Sequence, residues 1–162
     1  MSQPPVDALL LEEIAEHVAS GVIIYVATRN SLLEPEATIA MGLKSDCARK
    51  LFTVYLPQQA AARTLSNLAD NGAIAVTMTR PYDHKSIQIK GKAVATRSAD
   101  DADRALMSVH RAALTEQFAL VGVPRSITRR LTNWPSVAVD IEVNAAFLQT
   151  PGPRAGEPLR RG

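Results

Sequence analysis

Apolar and polar positions change period several times along the chain, and each change marks an element. Leu10, Leu11, Ile14 and Val18 recur at helical spacing after Asp7, which suits an N-cap, and Gly21 ends the run. Residues 22–28 are rich in β-branched side chains, and residues 37–44 and 50–56 follow with short polar connections, so three successive strands read as a meander. Over residues 57–68 the pattern turns helical, opening on Pro57, Gln58 and Gln59 with Leu65 and Leu68 on the buried side. Asn71 and Gly72 then supply a left-handed C-cap.

Residues 73–95, AIAVTMTRPYDHKSIQIKGKAVA, read as a β-hairpin. Arg80, Pro81, Tyr82 and Asp83 make its turn, with Pro where φ must be fixed and Asp where a side chain can cap. The second arm alternates: His84, Ser86, Gln88 and Lys90 share one face, while Ile87, Ile89 and the stem of Lys85 share the other. Gly91 inside this strand marks a bulge or a close approach to the backbone. A polar row of this kind serves either as the solvent face of an antiparallel sheet or as a binding surface, and alternation does not choose between them.

Ser98 with Asp101 suggests a capping box for a helix over about residues 100–120, and Gly122 to Pro124 breaks it. A short helix follows from Pro124 to Thr132; Asn133, Trp134 and Pro135 then turn the chain into a sixth strand over residues 137–143. Six strands of mostly hairpin type, with helices inserted after the third and fifth, predict an antiparallel barrel rather than a parallel α/β sheet. The prediction is one domain over residues 1–150 and an irregular tail, rich in Pro, Gly and Arg, over residues 151–162.

Bulk properties narrow the function. At 162 residues the chain suits one domain with a real core, and aromatics at 4% leave that core to Ala, Val, Ile and Leu. The net charge of +2 is matched by the tail, where Arg154, Arg160 and Arg161 outweigh Glu157, so the body is neutral. No basic field is offered to nucleic acid or to an anionic membrane surface, and neither is expected as a partner. Arg125, Arg129 and Arg130 are the local exception, either a solvated helix face or a pair of forks for a phosphate. Cys47 is alone, which excludes an intrachain disulfide and points to a reducing cytoplasm; no base accompanies it, so it reads as a turn residue. Residues 1–5 lack the charged and apolar segments of a secretory signal. The apolar run from Val22 to Ala27 falls far short of the ~20 residues that cross a bilayer, so a soluble protein is expected.

His17, His84 and His110 are too scattered for a zinc signature, and no metal site is expected. Nucleophile-elbow, Walker and dinucleotide fingerprints are missing from the sequence. What remains is hydrogen-bonding chemistry: Ser86, Gln88 and Lys90 on a strand, and Gln58, Gln59, Arg63 and Thr64 around a helix start. A helix N-terminus carries free N–H groups and the positive dipole end, and Arg63 adds a forked donor, which together outline a phosphate cradle.

The order of three strands, a helix at PQQAAARTLSNLADN, a hairpin ending in SIQIKGKAV, further helices and a last strand resembles the FMN-binding split-barrel family that includes pyridoxamine 5'-phosphate oxidase. The resemblance spans residues 21–149, with Asn67-Leu68 and Gln88 to Gly91 as its local motifs. It implies a six-stranded split β-barrel, a homodimer, and FMN in a groove between subunits. The phosphate would then fall on Ala62, Arg63 and Thr64, although Ala62 stands where Ser is usual and Thr64 where Lys is common. The flavin ring or ribityl chain would fall on Ser86, Gln88 and Lys90, with the Lys90 cation favouring the reduced flavin anion. His84 and Tyr82 at the hairpin tip, and Trp134, are either substrate contacts or, respectively, exposed turn residues and a packing residue. The Arg-Leu-Ser type segment with which true pyridoxamine phosphate oxidases bind substrate has no match in FLQTPGPRAGEPLRRG. The expected function is therefore an FMN-dependent oxidoreductase of the broader group, acting on an unidentified small molecule. The alternatives are a non-catalytic flavin- or haem-binding protein using the same groove, and a barrel that works through protein contacts alone.

Overall fold

The computed structural model describes residues 6–131 and 134–160. Helix α1 (Ala8–Ala19) is followed by β1 (Ile23–Arg29), β2 (Pro35–Ala40), β3 (Gly42–Asp46) and β4 (Leu51–Pro57). Helix α2 (Ala62–Asn71) leads into the hairpin β5 (Ala73–Thr79) and β6 (Ser86–Ser98); α3 (Asp101–Leu120), α4 (Arg125–Thr128) and β7 (Ser136–Leu148) complete the order. All pairings are antiparallel, in the order β2-β1-β5-β6-β7-β4-β3.

Seven strands stand among the described residues where the sequence predicts six. The predicted strand over residues 37–44 breaks at Met41, whose N–H donates to the Tyr55 carbonyl at 2.8 Å. Residues before it pair with β1 and residues after it pair with β4, so one bent segment forms both edges of the sheet. Two edges joined by a single residue must lie close together, and the sheet curls to bring them there. Inside the curl, Ile24, Val26, Phe52, Val54, Leu56, Val76, Ile89 and Ile141 are fully buried. Helix α1 adds Leu11 and Ile14, also fully buried, and its start is held by Asp7, whose carboxylate accepts the Leu10 N–H at 2.8 Å.

Two helix starts differ from the sequence reading. Pro57 still belongs to β4 and residues 58–61 form a turn, so α2 begins at Ala62; Ala61, at its N-cap, offers no side-chain bond. The capping box of α3 is Asp100 with Asp103, not Ser98 with Asp101, because Ser98 is still paired in β6. Asp103 does more than cap: it accepts the Tyr55 hydroxyl at 2.8 Å and a two-pronged bond from Arg97. The Arg97 fork holds the Asp103 carboxyl well below the usual carboxylate range, and burial together with that carboxylate pushes the Tyr55 phenol up. Helix α4 is shorter than expected and ends at Thr128, while the expected end at Thr132 and the turn residue Asn133 lie outside the described residues.

Gly72 takes φ +70° at the α2 C-cap, the left-handed conformation that Asn71-Gly72 predicted. Gly91 is the site of a register shift between β6 and β7; a Cβ there would lie 2.1 Å from the Glu142 carbonyl oxygen. The tail after β7 is irregular yet docked: Phe147 bridges Pro158, the Leu159 N–H donates to Ala146 at 2.9 Å, and Leu159 packs on the core. No helix among the described residues is long and apolar enough to cross a membrane.

Candidate functional site

The hairpin delivers the predicted strand row, and pairing shows what each member does. Ile87 and Ile89 point into the core; Ser86, Gln88 and Lys90 take the opposite face. Ser86 is buried and internally used, its hydroxyl donating to the His84 carbonyl at 2.8 Å and lying 2.9 Å from Thr79 Oγ1. It closes the hairpin. Gln88 donates to Thr77 Oγ1 at 2.9 Å, which leaves its amide oxygen, half-buried on the sheet surface, as an acceptor. Lys90 is exposed, with Nζ 4.9 Å from the Phe147 ring centroid. His84, exposed, takes the left-handed turn position at φ 57°, and Tyr82 is exposed beside it.

Arg63 and Thr64 stand elsewhere. Arg63 lies in the first turn of α2, mostly exposed, with Nη1 3.4 Å from Glu36. Thr64 is fully buried and its hydroxyl finds no partner among the described residues. Glu36 pairs with Thr28, whereas Ser86 pairs with Thr79 and through it with Ile23. Five steps along β1 separate the Ser86 row from the Glu36 row, roughly 17 Å at strand rise. Gln88 and Lys90 pair through Thr77 and Ala75 with Tyr25 and Ala27, so the Lys90 end of the predicted cofactor row is one residue of β1 from the Glu36 row but three strands away across the sheet.

A concave site that the sequence does not reveal lies between α3 and the bend at Met41. It is a cavity of about 220 Å³ walled by Ile39, Met41, Met107, Leu114, Leu131 and Trp134, with Arg104, Ser108, Arg111 and His110 contributing polar groups. Trp134, picked out from sequence, covers it with its ring 5.1 Å from the Arg104 guanidinium. Arg111 donates to the Leu131 carbonyl at 3.3 Å. Among the described residues no carboxylate pairs with Arg104 or Arg111, in contrast to Arg63, Arg97 and Arg125, which are all paired. Two available guanidiniums at the mouth of an apolar cavity suit a ligand with an apolar body and an anionic group. Burial holds His110 below the ordinary histidine value, with the nearby Val22 backbone opposing part of that shift.

The cavity and the strand row share one surface. Ile39 pairs with Tyr25, Tyr25 with Thr77, Thr77 with Gln88 and Gln88 with Phe147, so a single cross-strand row runs from the cavity wall to the predicted cofactor residues. Ala37, Ala27 and Ala75 form the neighbouring row, ending at Lys90. Small side chains leave this face flat, while Tyr25 and Ile39 stand 41% and 49% exposed on it.

Solved structures share this architecture. An FMN-binding protein from Syntrophomonas wolfei superposes with a TM-score of 0.57 at 11% identity, covering 96% of this chain and 90% of its own. The split-barrel fold is thereby assigned. An F420 reductase is a second solved structure similar to this one (TM-score 0.52, 10% identity, 81% and 93% covered). A third, from Lactobacillus delbrueckii, is described as a candidate pyridoxamine 5'-phosphate oxidase (0.50, 12%, 82% and 90%). No family model and no curated protein matches the sequence of this split barrel.

Proposed function

We propose that this chain is an FMN-binding oxidoreductase that works as a homodimer and takes its substrate in the cavity beneath Trp134. The observation that carries the reading is the continuous row from that cavity through Ile39, Tyr25 and Thr77 to Gln88, on a flat and partly apolar sheet face. Similarity in fold to an FMN-binding protein and to an F420 reductase supports the cofactor class.

The residues present fit a flavin mononucleotide. Gln88, through its amide oxygen, and Lys90, through its ammonium group, offer an acceptor and a cation to the polar edge of the ring. Without a capping side chain at Ala61, the first turn of α2 keeps backbone N–H donors for a phosphate, and Arg63 adds its fork after exchanging Glu36 for the ligand. Bound flavin supplies hydride acceptance. Arg104 and Arg111 orient an anionic substrate, Trp134 covers it, and the apolar walls of Met41, Met107 and Leu114 exclude water.

The test is ligand identity and selectivity. Denaturing the purified protein releases FMN on chromatography, and apoprotein rebinds it in a fluorescence titration; a haem chromophore in its place supports the non-catalytic alternative. Arg63→Ala weakens FMN by about 1.5–3 kcal/mol, the scale of a hydrogen bond to a charged group, and leaves riboflavin unchanged. Gln88→Ala weakens both ligands alike. Equal loss of both ligands in Arg63→Ala removes Arg63 from the phosphate site, and no flavin either released or bound overturns the reading.

A further inference from the structure

A second cavity, of about 300 Å³, lies on the other flank of α3, where that helix faces α1 and β3. Its walls are mostly apolar, among them Val18, Leu43, Leu106, Val109 and Ala113. Met107, Arg111 and Leu114 repeat at helical spacing on the Trp134 side of α3; Leu106, Val109 and Ala113 repeat on the opposite side. His110 falls between these stripes and faces the barrel. Among the described residues it is the one that the linings of the two cavities share.

The imidazole is buried there, 9% exposed and beside the Val22 backbone. A buried planar ring with only two rotatable bonds holds a boundary that a flexible aliphatic chain of the same size would let shift.

We propose that His110 is the partition between the two cavities and so sets the longest apolar body that the Trp134 cavity admits. The proposal rests on reading that cavity as the site of an organic anion held by Arg104 and Arg111. In the wild-type protein a ligand whose anionic head meets the two arginines extends past Met107 and stops at the imidazole. With the ring removed, the chain of the ligand continues beneath α3 to Leu106, Val109 and Ala113, and the two voids become one.

The experiment is calorimetric titration of the straight-chain carboxylates from butanoate to dodecanoate into flavin-loaded protein. In the wild type, affinity climbs about fourfold per added methylene, the factor set by burying one CH₂, and stops climbing within the first members of the series. His110→Ala moves the stopping point outward by several carbons. His110→Phe retains a ring of similar size without the N–H and keeps the wild-type stopping point, which separates the shape of the partition from its polarity. His110→Asn keeps a polar group on a shorter side chain and replaces the alanine variant if that fails to fold. Arg104→Ala weakens every member by a similar factor and leaves the stopping point in place. An unchanged stopping point in folded His110→Ala or His110→Asn overturns the partition while leaving the anion site standing. No binding of any member to the wild type, with flavin present, overturns the anion site and the partition with it.

Discussion

His17 and His110 are two side chains that folding strips of water. His17 is 5% exposed, its Nε2 is 3.1 Å from the Met78 carbonyl, and its Nδ1 is buried without a partner among the described residues. Burial lowers its proton affinity, as it does for His110, and nearby Lys85 and Arg80 lower that of His17 further. The sign of the pH dependence follows. Both groups have folded values below the ordinary 6.5, so the unfolded chain binds more protons as the medium turns acid. Stability contributed by the neutral rings is full above about 6.5 and is lost as the pH falls through their folded values. Urea midpoints measured from neutral pH downward are expected to fall before the carboxylates titrate. His17→Gln, which retains a donor for Met78, is expected to flatten that first decline; a midpoint constant until the carboxylate range contradicts the assignment.

At the scale of elements, the long β6–β7 ribbon is the frame, and it bends at Gly91. Pairing shifts register between Lys90 and Gly91 and again between Ala93 and Ala95, which lets one pair of 13-residue strands follow the curl of the sheet. The Glu142 carbonyl crosses Gly91 so closely that a methyl group has no place. Gly91→Ala is expected to cost about 3 kcal/mol or more, read as a lower denaturation midpoint, because the obstacle is backbone rather than a movable side chain. A loss below about 1 kcal/mol would show that the ribbon slides past the added carbon. The bulge lies directly after Lys90, so flavin affinity falls along with stability if the strand row holds the cofactor.

For the whole molecule, the decisive surface is the sheet face that carries the Ile39–Tyr25–Thr77–Gln88 row. Within one chain Lys90 stands three strands across the sheet from Glu36, the partner of Arg63, and in the proposed dimer a second copy laid on this face closes the groove between them. Symmetric pairing is also the commonest form of oligomer. Light scattering at micromolar concentration is expected to give twice the chain mass, and Tyr25→Glu, placing a charge on the flat face, is expected to give monomers that retain the native fold and lose flavin. A monomeric wild type with flavin bound contradicts the interface site. Loss of pairing without loss of flavin moves the cofactor to a single chain.

Much of this was determined locally. The helical spacing of Leu10, Leu11, Ile14 and Val18, the inward parity of Ile87 and Ile89, the left-handed cap at Gly72 and the close approach at Gly91 follow from backbone periods and sterics that operate over a few residues. Those same rules cannot see the break at Met41, because residues on both sides of it are extended and only the choice of pairing partner changes. They also extend α2 back to Pro57, since helical composition does not register that Pro57 is held opposite Ser136 in β4. The cavity is the clearest case: residues 39–41 and 104–114, with Leu131 and Trp134, carry no common motif and meet only when α3 packs across the bend. Local structure is set by neighbours along the chain, which the sequence contains in order. The site is set by neighbours in space, and only the curling of the sheet brings those together.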